Sequence, residues 1–537
     1  MNKNIFANAR FDFPAGLVVF LVALPLCLGI ASASGAPFFS GLISGIIGGV
    51  VIALFSNSAL SVSGPAAGLA SLVLGAITAI GNFPLFLCAV SMAGVLQMMM
   101  GFAKLGGIAN YIPSSVIKGM LTSIGLLIIA KQIPKAFGYD IDQQGNLTEL
   151  FPFGNEGLYK FLQPLHHIEL GTAIICLISI VIMLIWEKPF IKNRLPFIPG
   201  ALIAVIISLV INELWHATGS KLYVDGDRLV QIPVATDAAT FIGFFTLPDF
   251  NGFLNGEVIM YGIFIAIIAS LETLLSIEAV DGIDPERRVT NANKELIAQG
   301  LGNTVSGLIG GLPITSVIVR SSANVNAGAR SKLSAIVHGL LLLLCAMFIP
   351  TFLNKIPLSA LAAILILTGY KLAKPAIFKK MFLNGKYQFI PFIVTVVCII
   401  SIDLIGFPHV LKGKGLILGV LAGLIAAAGA ILHGNLKNSY YFHKEKYNQG
   451  DIITIELSEE VSFLNKASIR ETLDHIPENS RLLIDASKTI YIDFDVLELI
   501  KEFKAIKAPL KKIELELKNF KQIYKIENDL HVHAEKA

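Results

Sequence analysis

Charge is what this chain has least of. Of 537 residues only 15% are charged, against the roughly 25% of an ordinary soluble domain. With 54% hydrophobic residues and a mean hydropathy of +0.70, a soluble fold could not hide that much apolar surface. Cysteine is scarce too. All five (Cys27, Cys88, Cys176, Cys345 and Cys398) fall inside apolar runs, so no disulfide framework is indicated, and they read as small core residues. The net charge of +4 is small and gives no reason to expect nucleic acid as a partner. No cleavable leader is visible, because the first apolar run is long, follows Arg10 and leads into further spans.

What is present instead is a succession of apolar runs, each of about 17 to 25 residues and able to cross a ~30 Å hydrocarbon core as a helix. The clearest cover 14–33, 38–55, 83–102, 110–131, 167–186, 196–213, 254–279, 293–309, 330–350, 356–371, 387–404 and 411–432. Two further stretches, "SVSGPAAGLASLVLGAI" (61–77) and "GGLPITSVIVRSSANVNAG" (310–328), carry a Pro or Gly break and too few helical residues to cross alone. Counting them gives fourteen segments of a polytopic α-helical membrane protein. Split near residue 230, the count becomes seven in each half, and an odd number inverts the second half relative to the first. The short segments are then third in each half, and broken segments at matching positions of inverted repeats are where a transporter binds its cargo.

With that count, Arg10, Lys104, Arg287, Arg288, Arg330 and Lys332 share one side, which the positive-inside rule makes cytoplasmic. The N- and C-termini lie on that side, and the expected setting is a bacterial-type inner membrane. The long loops 136–166 and 214–253 face the other way. Past His433 the composition becomes charged and alternating. "DIITIEL" (451–457), "RLLIDAS" (481–487) and "KKIELEL" (511–517) read as strands. "NKASIRETLDHI", "DFDVLELIKEFKAI" and "FKQIYKIENDL" read as helices. The organisation is a membrane domain over 1–433, a linker over 434–450 and a small cytoplasmic α/β domain over 451–537.

In the second short segment Pro313 precedes the helix, Thr315 or Ser316 can cap it, and the first-turn N–H groups point toward the middle of the membrane. The first short segment offers the same device around Ser61, Ser63, Gly64, Pro65 and Ala66. Two positive dipole ends facing one another suit an anion. The plain alternative is that such breaks only bend packed helices. Arg320, inside the second short helix, either strengthens the anion field or tethers helices. Glu272, deep in "SLETLLSIEAV", either ties helices together or holds a proton or Na+, with Ser276 one turn on. No Asp or Glu occurs between Gly310 and Gly328, so a cationic cargo would lack a counter-charge there.

The motifs "ALPLCLGIASASGAP" (23–37), "SNSALSVSGPAAGLA" (56–70), "SLETLL" (270–275) and "NKELIAQGLGNTVSGLIGGLPITSVIVRSSANVNAGARSKLS" (293–334) closely resemble the sulfate permease (SulP) family of inorganic anion transporters, with a C-terminal STAS domain. The resemblance implies a seven-plus-seven inverted repeat with two half-helices and a homodimer supported by the STAS domain. It implies that Pro25 and its neighbours, Gly64, Pro65, Ala66, Glu272, Ser276, and Pro313, Ile314, Thr315 and Ser316 with Arg320 surround the anion and its coupling ion. No cofactor is implied beyond Na+ or H+ at Glu272. Two positions depart from the family pattern. Leu26 stands where many relatives have Gln, which removes a polar substrate contact. Phe494 and Asp495 stand where many STAS domains carry a phosphorylatable serine, which speaks against that regulation.

The sequence admits two further readings: a nucleobase:cation symporter of the same architecture, and an anion-binding sensor that does not transport. A membrane potential of about 100 mV opposes a monovalent anion by ~2.3 kcal/mol and a divalent one by about twice that. One intramembrane carboxylate suggests one Na+ or H+, which neutralises bicarbonate but not sulfate.

Overall fold

The computed structural model describes residues 5–138, 168–194, 198–404, 414–437, 452–463, 465–521 and 524. Apolar composition makes helices of the first four-fifths of the chain, since only internally hydrogen-bonded backbone is stable in hydrocarbon. They are α1 (Ala9–Ala33), α2 (Phe38–Phe55), α3 (Ala70–Ile80), α4 (Phe83–Phe102), α5 (Ser114–Ala136), α6 (Leu170–Trp186) and α7 (Gly200–Ala217). After them come α8 (Gly256–Ile283), α9 (Ala292–Leu308), α10 (Ile318–Asn326), α11 (Leu333–Phe348), α12 (Leu358–Leu372), α13 (Lys386–Asp403) and α14 (Gly415–Lys437). Eight helices among the described residues are long and apolar enough to cross a membrane, and four shorter apolar helices accompany them. This is a multi-pass membrane protein. On α6, Leu170, Leu177 and Leu184 recur every seven residues and are all exposed, an uncovered apolar stripe suited to lipid.

Two compact units are present. The first, 1–109, 120–374 and 396–419, holds both broken segments. Within it α4 and α9 lie in unusually close contact. A Cβ on Gly300 would sit 2.6 Å from the Gly94 carbonyl oxygen, and one on Gly94 would sit 2.3 Å from the Thr304 nitrogen, so only glycine permits this approach. Asp12, fully buried in α1, accepts from the Arg330 and Ser331 N–H groups at 2.7 and 3.0 Å. It thereby satisfies backbone donors just ahead of α11.

The second unit, 110–119, 375–395 and 420–537, contains the C-terminal α/β region. Strands β3 (Ile452–Glu456), β5 (Arg481–Asp485) and β7 (Glu514–Lys518) form a parallel sheet with β5 central. A second parallel pair joins β4 (Glu460–Val461) to β6 (Tyr491–Ile492). Helices α15 (Asn465–Asp474) and α16 (Phe494–Glu502) supply the crossovers. Leu482 and Ile484 of β5 pack with Val496, Ile500, Phe503 and Leu517. The three strands expected from alternation are present within a few residues, whereas β4 and β6 are too short to leave a periodic signal. The chain remains helical to Lys437, past the start of the expected linker. The rest of that linker, the loop beyond Gly138 and nearly all of the final expected helix lie outside the described residues.

Candidate functional site

The two broken segments meet. β1 (Ser63–Pro65) and β2 (Ile314–Ser316) pair antiparallel, with Ser63 opposite Ser316, Gly64 opposite Thr315 and Pro65 opposite Ile314. This corrects the expected capping: Thr315 and Ser316 lie in the strand, and α10 begins at Ile318 after Val317, with no side-chain cap. Arg320 is therefore the third residue of its helix. Extended backbone inside a membrane protein needs internal partners, and the sequence supplies most of them from α9. Asn303 brackets Ile314, accepting its N–H at 2.6 Å and donating to its carbonyl at 3.0 Å. Its amide also donates to Gln97 at 2.6 Å, and Gln97 donates to Ser270 at 3.2 Å. Gln299 donates to Ser63 at 2.6 Å and to Glu295 at 3.1 Å. Ser306 and Ser44 hold the Leu312 carbonyl and N–H at 2.7 and 2.6 Å.

These α9 residues form a buried polar stripe, Glu295, Gln299, Asn303 and Ser306, which the sequence reading passed over. Its signal was available: polar residues at i, i+4, i+8 and i+11 share one face of the helix.

Beyond the crossing, in the same unit, lies a mostly apolar cavity of about 800 Å³ counting its open mouth. Ala67 and Gly68, just ahead of α3, and Val317 to Arg320, at the start of α10, contribute to its wall. Both broken segments thus turn helix starts toward one space, as the sequence pattern implies. Leu26 and Ile30 of α1 also line it, as do Glu272 and Ser276 of α8. At Leu26 the wall is apolar.

Two oppositely charged residues line this space, and each keeps polar atoms without a hydrogen-bond partner among the described residues. Arg320 is fully buried. Its Nη2 donates to the Pro65 carbonyl at 3.3 Å, while Nε and Nη1 have no partner among the described residues. A Cβ on Gly64 would lie 2.0 Å from Nη1, so the glycine admits the guanidinium. Gly68 does the same for Glu272, where an added Cβ would lie 2.6 and 2.8 Å from the carboxylate oxygens. No hydrogen bond or ion pair to the Glu272 carboxylate occurs among the described residues, unlike Asp12 or Glu295. Its neighbour Thr273 has the structural task, accepting from the Ser316 N–H at 3.3 Å. Of the other residues singled out from sequence, Gly64, Pro65, Ile314, Thr315 and Ser316 build the strand crossing behind the cavity. Ala66 follows β1, Pro313 precedes β2, and Pro25 is buried within α1 beside the lining Leu26.

A model of the sulfate permease family matches residues 10–395. The chain belongs to that family. Among its sulfate permease relatives, the putative sulfate transporter YvdB of Bacillus subtilis is 30% identical over 366 residues, 68% of this chain and 64% of the relative. The bicarbonate transporter BicA of Picosynechococcus sp. is 28% identical over 377 residues, 68% of this chain and 62% of the relative. The matches therefore span less than two-thirds of either relative's length. The fold agrees with that of the transmembrane domain of a cyanobacterium bicarbonate transporter BicA, at a TM-score of 0.61 and 23% identity over 79% of this chain and 98% of the other. It agrees also with the murine Solute Carrier 26 family member A9 anion transporter in the inward-facing state, at 0.62 and 15% identity over 98% and 87%.

Proposed function

We infer that the protein is a secondary active transporter of a small inorganic anion, bicarbonate or sulfate, coupled to Na+ or H+ and not an enzyme. The observation that carries this reading is the pair of oppositely charged groups on one cavity, each with polar atoms that no described residue engages. A buried guanidinium with two free donor nitrogens, at the start of a helix, is a counter-charge for an anion. A carboxylate lining the cavity without a protein hydrogen bond is a counter-charge for a cation or a site for a proton. A carboxylate that merely tied helices together would be engaged, as Asp12 is. One fixed positive and one fixed negative group suit a pair of small ions that together leave the site neutral, which favours bicarbonate with one Na+ or H+. The relatives named as sulfate and bicarbonate transporters support the same class. Nucleobase:cation symport is less well supported, because the broken segment that would grip the base has no acidic residue.

The same reading takes in the fourteen segments as two inverted repeats of seven. It assigns 1–433 to transport and 451–537 to a STAS domain, and places the anion among Pro25, Gly64 to Ala66, Pro313 to Ser316 and Arg320, with the coupling ion at Glu272 and Ser276. It also includes a homodimer in a bacterial-type inner membrane with both termini in the cytoplasm. The test is uptake of radiolabelled bicarbonate, sulfate and chloride into proteoliposomes, with and without an imposed Na+ or pH gradient. One anion concentrated only with the gradient is the expected result. Binding without uptake of any of the three would make the protein a sensor instead.

A further inference from the structure

The segment "YIDFDVLEL" has an aromatic and an acid where the family resemblance implies a serine, and in the second unit these residues have a specific place. Asp493 caps α16, its Oδ1 accepting from the Asp495 N–H at 2.9 Å. Its Oδ2 takes Gln388 Nε2, from the first turn of α13, at 2.5 Å. Asp495 Oδ2 accepts the N–H of Ser114, the first residue of α5, at 3.0 Å, and so satisfies one of the donors a helix start leaves open. Between the two acids, the Phe494 ring lies 4.0 Å from Lys118 Nζ and 4.3 Å from Lys380 Nζ, a double cation–π contact. Three consecutive residues of the C-terminal domain thereby hold the starts of two membrane helices and the short helix Pro375–Leu383.

We propose that Asp493, Phe494 and Asp495 form a proton-sensitive latch that clamps the C-terminal domain to the starts of α5 and α13, closed by proton uptake at Asp493 and loosened by its ionisation. Asp493, Asp495 and Gln388 are each at most 4% exposed, so two carboxylates share a site that water barely reaches. A proton on one of them relieves the repulsion. The 2.5 Å contact to Gln388 is below the usual range of N–H···O and at the short end of that of O–H···O. Gln388 Oε1 is buried without a partner among the described residues. Turning that amide over lets Oε1 accept the proton of a neutral Asp493, because the two ends of an amide occupy nearly the same space.

The charged and titratable groups around Asp493 come from every neighbouring element. They are Asp495 and Glu498 on α16, Lys466 on α15, Tyr491 on β6, Glu460 on β4, Lys118 on α5 and Lys380. Burial, then the charge of Asp495, pushes the Asp493 carboxyl up to about 7, with Lys466 opposing. A separated, solvated carboxyl would titrate near its ordinary value of about 4. The docked state thus binds more protons between those limits, so docking strengthens as pH falls through about 7 and is nearly constant above about 8.

The latch is independent of which ion the membrane domain carries. Its test is amide hydrogen exchange on the full-length protein in lipid nanodiscs at pH 6 and pH 8, corrected for intrinsic rates. Protection at Ser114 should be about tenfold greater at pH 6, and Asp493→Asn, which keeps an uncharged partner for Gln388, should stay protected with a ratio near one. Protection of Leu482 to Ile484 in β5 reports whether the domain remains folded. If Asp493→Asn fails that control, Phe494→Leu serves instead: it should lower Ser114 protection at both pH values and leave the tenfold ratio. A wild-type ratio of one, an Asn variant that keeps the tenfold change, or a Leu variant that loses it would each overturn the latch.

Discussion

The guanidinium of Arg320 rests against Gly64, close enough that a Cβ on the glycine would lie 2.0 Å from Nη1. The relationship ties the two broken segments together chemically as well as through their strand pair, since Arg320 belongs to one and Gly64 to the other. Arg320→Ala should weaken anion binding by roughly ten- to a hundredfold, the worth of about 1.5 to 3 kcal/mol in charged hydrogen bonds. The fold should survive, because only one of its nitrogens has a protein partner. Gly64→Ala should do the same by displacing the guanidinium. Calorimetric titration of both variants with the transported anion checks this, and unchanged affinity accompanied by lost expression would instead mark Arg320 as a tether.

A different cost is expected at Asn303. Its amide satisfies both the N–H and the carbonyl of Ile314, so Asn303→Leu strands two buried backbone groups at about 1 to 3 kcal/mol each. The loss should appear first as a fall in thermal stability of the detergent-solubilised protein. Asn303→Asp keeps the acceptor for the Ile314 N–H but puts a second acceptor against its carbonyl, and should be no better tolerated. Wild-type melting in both variants would show that the strand crossing does not need α9.

Long apolar runs made the helices readable, and the Pro and Gly breaks made both short segments readable. The strand pair between them was not, because three residues such as "SGP" and "ITS" carry no period and owe their extended form to partners some 250 residues away. For the same reason the capping assigned to Thr315 and Ser316 failed: a local rule for helix starts was overruled by a long-range pairing. Arg320 and Glu272 stood out as charges in apolar sequence. That Gly64 and Gly68 lie under them could be seen only in three dimensions.

Truncation tests the division between the units. Removing 450–537 leaves β1, β2, Arg320 and Glu272 untouched, so anion binding should persist within about twofold while dimerisation or turnover falls. Turnover and binding can be read on one preparation, by tracer exchange and by titration. Loss of binding in a monodisperse truncated protein would mean that the C-terminal domain shapes the cavity itself.

Glu272 separates coupling from binding. Its carboxylate faces the cavity over Gly68 and has no hydrogen bond among the described residues, so no protein partner is lost when its charge is removed. Glu272→Gln preserves size and most of the polarity. A coupling carboxylate should not tolerate the change: uptake driven by a Na+ or pH gradient should fall at least tenfold, while exchange of labelled for unlabelled anion persists because Arg320 and the two helix starts remain. Ser276→Ala, which removes one neutral oxygen from the same face of α8, should give a weaker form of the same loss, since a cation prefers the charged ligand. Gly68→Ala should resemble Glu272→Gln by pushing the carboxylate aside. The decisive measurement is accumulation against an imposed gradient. A Gln variant that still concentrates the anion as well as the wild type would remove Glu272 from coupling and leave the protein an exchanger whose only necessary charge is Arg320.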